Sequence, residues 1–158
     1  MRLAINNNAL DQDAARLWGL LFQVVLDGEK RVAALLHAHG LTTPQFYVLK
    51  TLIEHEGRCP IGQIAHLHSL TNATMTGLVK RLEAIGLVER TVNDEDRRSV
   101  DVTLTASGHA RFIDVQNDLT DQLRALLALI PEDDRTRLLD DVARYVGLIV
   151  TIPSTSSS

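Results

Sequence analysis

Residues 60–86, PIGQIAHLHSLTNATMTGLVKRLEAIG, carry the spacing that decides the fold. Ile61, Ile64, Ala65 and Leu67 give residues 60–68 one apolar side, as a short helix requires. Ser69-Leu70 is a tight connection. Thr71 and Asn72 then supply side-chain oxygens that accept the unpaired N–H groups at a helix start. The helix so begun runs to Ile85, with Met75, Leu78, Val79 and Leu82 inward, and Gly86 closes it.

Two strand-like runs follow. Residues 87–92 form the first. Residues 99–104 form the second, where Val100, Val102 and Leu104 alternate with polar neighbours and are expected to face inward. The polar segment 93–98 between them is predicted as a hairpin loop. Upstream, Ala14, Leu17, Leu21, Val24, Val32 and Leu35 recur at helical steps over 11–38, and Gly40 stops that helix. Thr43 is the expected N-cap of the next helix. Pro44 then takes its first helical position, where a missing N–H costs nothing. Phe46, Leu49, Leu52 and Ile53 form its expected buried face. Downstream, Thr105 caps a helix reaching about Ile130, and Pro131 starts a last one carrying Leu138, Val142, Tyr145, Ile149 and Ile152. Residues 153–158 read as a disordered polar tail.

Short helix, turn, capped helix and hairpin are the order of a winged helix-turn-helix. The expected fold class is mainly α with a small β-wing: six helices and one β-hairpin in a single domain. Residues 41–105 form the winged lobe, and 11–40 with 106–152 form a helical dimerisation region. A helix of ~25 residues spans about 40 Å, more than one small lobe can cover, so a second subunit is expected.

Composition excludes other classes. With 45% apolar and 23% charged residues in 158, the chain reads as globular. It has no run of ~20 apolar residues and no signal-peptide pattern at its start. Cys59 is the only cysteine, so an internal disulfide is impossible. The expected location is the cytoplasm, with no membrane partner. The net charge is −4, and residues 71–98 hold five acidic and five basic side chains. Charge therefore gives little support to a nucleic-acid partner, and the argument rests on pattern.

That pattern places Asn72, Thr74, Thr76 and Lys80 on the outer side of the capped helix, with Arg81 near its edge and Thr71 at its start. A major groove ~12 Å wide admits one helix, so this face is a candidate reader of double-stranded DNA. Asn and Thr suit base edges or phosphates; Lys80 and Arg81 suit phosphates. Arg97 and Arg98 lie at the wing tip, where a guanidinium can enter a minor groove. Asp96 is the expected wing-orienting residue, holding an arginine by a bidentate pair.

Ile64-Ala65, the run Leu78-Val79-Lys80-Arg81-Leu82-Glu83-Ala84-Ile85-Gly86-Leu87-Val88-Glu89-Arg90, the wing Asp94-Glu95-Asp96-Arg97-Arg98-Ser99, and Leu104-Thr105 with Gly108 together resemble the MarR family of bacterial regulators. The wing is the most specific part. The resemblance implies a transcriptional regulator, commonly a ligand-responsive repressor, that binds a pseudo-palindromic operator as a homodimer with its first and last helices interlocked. In the family's Asp-x-Arg wing motif the arginine enters the minor groove; here that falls on Asp96 and Arg98. The resemblance also implies a small effector, often an aromatic acid, for which Arg16, Trp18, Phe46 and Tyr47 are candidate pocket residues. Two positions depart from the family. Gly77 stands where many relatives carry arginine or another polar residue, and His68 where a leucine usually packs.

Other functions find less support. No Gly-rich phosphate loop, His-Glu-x-x-His run or Gly-x-Ser-x-Gly elbow is present, so no enzyme is expected. The six histidines lack zinc-site spacing, and no metal or cofactor is expected. Cys59, next to Pro60, reads as a small buried hydrophobe rather than a redox sensor. A winged-helix protein-interaction module without DNA stays open as the alternative, because the reading head is nearly neutral.

Overall fold

The structure, a computed structural model, describes residues 7–93 and 98–151. The chain divides into two compact units, residues 1–116 and 117–158. Among the described residues the elements are six helices and three strands: α1 (Asn7–Ala38), α2 (Thr43–Glu54), β1 (Arg58–Pro60), α3 (Ile61–Leu67), α4 (Asn72–Ala84), β2 (Val88–Val92), β3 (Val100–Leu104), α5 (Ala106–Leu127) and α6 (Glu132–Thr151). The architecture is mainly helical with a small antiparallel wing, as expected.

In the first unit Leu36, Val48, Leu49, Leu52, Ile64, Met75, Val79, Leu82, Val102 and Val115 are fully buried. The chain reverses at Gly40 and Gly86, whose φ values of 71° and 75° suit a residue without Cβ. After Gly86, Leu87 N–H returns to Leu82 C=O at 3.0 Å, which ends α4 and launches β2.

Three details differ from the expectations. The N-cap of α2 is Thr42, not Thr43: Thr42 and Gln45 form a reciprocal capping box. That box draws Gln45 inward, so the buried face is Gln45, Val48, Leu49, Thr51 and Leu52. Phe46 and Ile53 are only half-buried. Second, the hairpin is the larger part of a three-stranded sheet in the order β1-β3-β2. Arg58 pairs with Thr103, Cys59 with Val102 and Pro60 with Asp101. Third, the inward alternation of β3 is incomplete. Val102 is buried and Val100 and Leu104 are half-buried, while Asp101, expected outside, is 2% exposed.

The long helices show broad apolar surfaces. On α1, Leu17, Trp18, Leu20, Phe22, Val24, Val25 and Leu26 are exposed, and Trp18 stacks on Phe22 at 5.9 Å. In the second unit Leu123, Leu126, Leu138, Leu139, Val142 and Val146 are exposed. Among the described residues no helix is long and apolar enough to cross a membrane.

Candidate nucleic-acid interface

The site begins with the turn between α3 and α4. Ser69 takes φ 53°, and Leu70 N–H bonds to Ala65 C=O at 2.9 Å. This reverses the chain within three residues. Thr71 then caps α4: its hydroxyl accepts from Thr74 N–H at 3.2 Å and lies 2.9 Å from the Thr74 hydroxyl. The cap satisfies one of the N–H groups that a helix start leaves unpaired.

Met75, Leu78, Val79 and Leu82 anchor α4. Asn72, Thr76 and Lys80 follow one another at four-residue steps on its other side, with Ala73, Gly77 and Arg81 as the neighbouring row. Asn72, Thr74, Lys80 and Arg81 are exposed, and Thr76 is half-buried. Asn72, Thr76 and Lys80 therefore share one surface with Arg81 at its edge, while Thr74 lies outside both rows. Gly77 sits within that surface, and a Cβ there would meet nothing within 4 Å.

One ion pair ties the sheet to this helix, and a second joins two strands within the sheet. Arg90 on β2 donates to Glu83 on α4, with Nε at 2.8 Å and Nη2 at 2.7 Å from Oε2. Arg58 on β1 donates to Oδ2 of Asp101 on β3, from Nε at 2.9 Å and Nη2 at 2.5 Å. Asn93, at the root of the wing loop, donates from Nδ2 to the same oxygen at 2.9 Å. Arg58 and Asn93 hold the Asp101 carboxyl below its ordinary value against the opposing effect of burial. Asn93 N–H also bonds to Ser99 C=O at 3.0 Å, the last rung before the loop. Arg98 lies just beyond, exposed in a turn. Asp96 and Arg97 lie outside the described residues.

The histidine that departs from the family pattern is bonded inside the lobe. His68 Nε2 lies 2.8 Å from the Thr51 hydroxyl, joining the turn to α2. Beside it is a cavity of about 320 Å³, whose lining includes Glu29, Thr43, Tyr47, His68, Leu70 and Met75. Of the four candidate pocket residues only Tyr47 lines it; Phe46 instead stacks on Phe112 at 5.2 Å. Cys59 is buried, and burial and the Asp101 carboxylate both push its thiol above the ordinary value. A thiol so placed is a poor nucleophile at neutral pH.

Comparison with known proteins identifies the lobe. The profile of the MarR family matches residues 41–100. The chain is 35% identical over 98 residues to the HTH-type transcriptional repressor Mb2911 of Mycobacterium bovis, covering 62% of this chain and 70% of that protein. This chain belongs to the MarR family. The same fold occurs in a MarR family protein from Bacillus stearothermophilus, with a TM-score of 0.76, 25% identity, and coverage of 90% of this chain and 98% of that one. It is also 36% identical over 110 residues to the HTH-type transcriptional regulator TtmR of Methylorubrum extorquens, covering 70% of this chain. The match spans only 55% of TtmR's own length.

In this MarR-family chain, sequence reasoning missed the groups that hold the parts together: Glu83, Arg90, Arg58, Asn93 and Asp101. The one available signal was an acidic residue in the middle of an otherwise β-favouring run, Val100-Asp101-Val102.

Proposed function

We propose that this chain is a sequence-specific DNA-binding transcriptional repressor that acts as a homodimer on a pseudo-palindromic operator. The observation that carries the proposal is the α4 surface: a capped helix start, Asn72, Thr76 and Lys80 in one row, and Arg81 in the row beside it. The wing root is tied to the same lobe, so a helix and a hairpin can engage adjacent grooves together. Thr71, Asn72, Thr74, Thr76, Lys80, Arg81 and Arg98 are the proposed DNA contacts, with Arg97 and Asp96 completing the wing.

Dimerisation is favoured by the exposed apolar faces of α1 and of the second unit, since surfaces of this kind mark association sites. A symmetric pair would carry its two α4 helices about one DNA turn apart. For the effector we propose the cavity beside Tyr47 and His68. Its 320 Å³ suits a small aromatic acid, and its walls include both the turn and α4, so occupancy bears directly on the reading head.

The test is a fluorescence-anisotropy titration of the purified protein with the DNA upstream of its own coding sequence, at several salt concentrations. The expected result is binding that weakens linearly in log–log salt, with a slope of about −0.9 per phosphate neutralised. Absence of binding at low salt would favour the protein-interaction reading, to which the balanced charge of residues 71–98 lends some support.

A further inference from the structure

The middle of β3 holds a charge that its surroundings make costly. Asp is disfavoured in strands, and a buried carboxylate must be paired to be tolerated. Asp101 is nonetheless 2% exposed, and its Oδ1 has no hydrogen-bond partner among the described residues. Three N–H groups converge on its other oxygen, Oδ2: two from Arg58 and one from Asn93.

The origin of those donors is informative. Arg58 lies on β1, and Pro60 at the end of β1 is the N-cap residue of α3, so Arg58 belongs to the helix-turn-helix side. Asn93 is the last residue before the wing loop, and Arg98 comes shortly after it. The register places Arg58 opposite Thr103, and Asp101 opposite Thr91. By strand alternation the clamp therefore lies on the sheet face opposite the one that carries Val102 and Cys59. One carboxylate oxygen thus joins the base of the helix-turn-helix to the root of the wing.

We propose that Asp101 is a positioning residue for DNA binding: through Asn93 and Arg58 it sets where the wing presents Arg98, without itself touching DNA. This inference rests on the DNA-binding reading above. Neutral Asn at position 101 keeps the shape but removes the charge that draws Arg58. The wing root then loses the charge-assisted clamp, and Arg98 loses the placement that the clamp gives it.

The test is a double-mutant cycle read by affinity for a bound DNA site, with far-UV circular dichroism confirming that each variant is folded. Asp101→Asn is expected to weaken binding roughly tenfold, comparable with losing one specific contact. Arg98→Ala should then cost less than about twofold in the Asp101→Asn background, while Lys80→Ala keeps its full cost there. General loss of structure would not single out Arg98 in this way. Asn93→Ala, which leaves the Arg58–Asp101 pair intact, should show the same selective coupling and serves if Asp101→Asn does not fold. Independent, additive costs for Arg98 in both backgrounds would overturn the inference and leave the DNA-binding reading standing. A wild-type protein that binds no DNA would overturn both.

Discussion

Gly108 lies on α5 against the start of β2, and replacing it with alanine should unsettle the joint between them. A Cβ at this position would stand 2.0 Å from the Leu87 carbonyl oxygen and 2.8 Å from Leu104 Cδ1. Carbon–oxygen contacts settle at about 3.3 Å, so α5 has to retreat by more than about 1 Å. The retreat strains two bonds: Thr105 N–H to Leu87 C=O at 3.1 Å, and the Thr105 hydroxyl to Gly86 C=O at 2.7 Å. Overpacking costs about 1–3 kcal/mol and each lost hydrogen bond about 1 kcal/mol. Against this, alanine improves helix propensity by about 1 kcal/mol. The expected net effect of Gly108→Ala is a loss of about 2–4 kcal/mol. Gly77→Ala is the internal control, because its Cβ meets nothing and propensity alone should stabilise α4 by up to about 1 kcal/mol. Urea unfolding followed by far-UV circular dichroism measures both, at matched protein concentrations because association contributes to stability. A Gly108→Ala midpoint at or above wild type would show that the α5–Leu87 contact tolerates a Cβ without cost.

Three further outcomes are expected. Thr71→Ala should cost about 1 kcal/mol of stability through loss of the α4 cap, while Thr71→Ser keeps the oxygen and recovers most of it; equal unfolding midpoints for the two would contradict this. Arg98→Ala should weaken operator binding by about 1–3 kcal/mol, and Lys80→Ala should reduce the salt slope by about 1; unchanged affinity and slope in titrations would remove both from the interface. The folded-state pKa of Asp101 lies below its ordinary value, so its clamp contributes fully at pH values above the unfolded carboxyl pKa of about 3.9 and is lost as pH falls through the lower folded value. The stability gap between wild type and Asp101→Asn should therefore be full at pH 7 and shrink below about pH 4, and a gap that does not change between pH 7 and pH 3 would contradict the assignment.

What could be read in the sequence was what repeats locally. Met75, Leu78, Val79 and Leu82 recur at helical spacing and are buried, and Thr71 is a cap by chemistry as well as position. The hairpin strands were legible from β-branched residues flanking a polar run. The illegible parts depend on distant partners. Asp101 is buried because Arg58, 43 residues earlier, reaches it, and alternation along β3 alone points it to solvent. β1 is three residues ending in proline, too short for any period to show. The face of α2 turned because Gln45 is spent on the cap of Thr42, a choice made by side-chain hydrogen bonds rather than hydrophobicity. Arg90 owes its structural task to its pairing with Glu83 on α4, which no pattern along β2 shows.

In the proposed complex two copies of α4 and its wing read DNA as a symmetric pair. Selection of bound sequences from a random duplex library by the purified protein tests this most directly. Enrichment of an inverted repeat, with half-site centres about 10 base pairs apart, is the expected result, and Lys80→Ala and Arg98→Ala together should abolish it. Recovery of no common sequence, or of a single unpaired half-site at full enrichment, would contradict it.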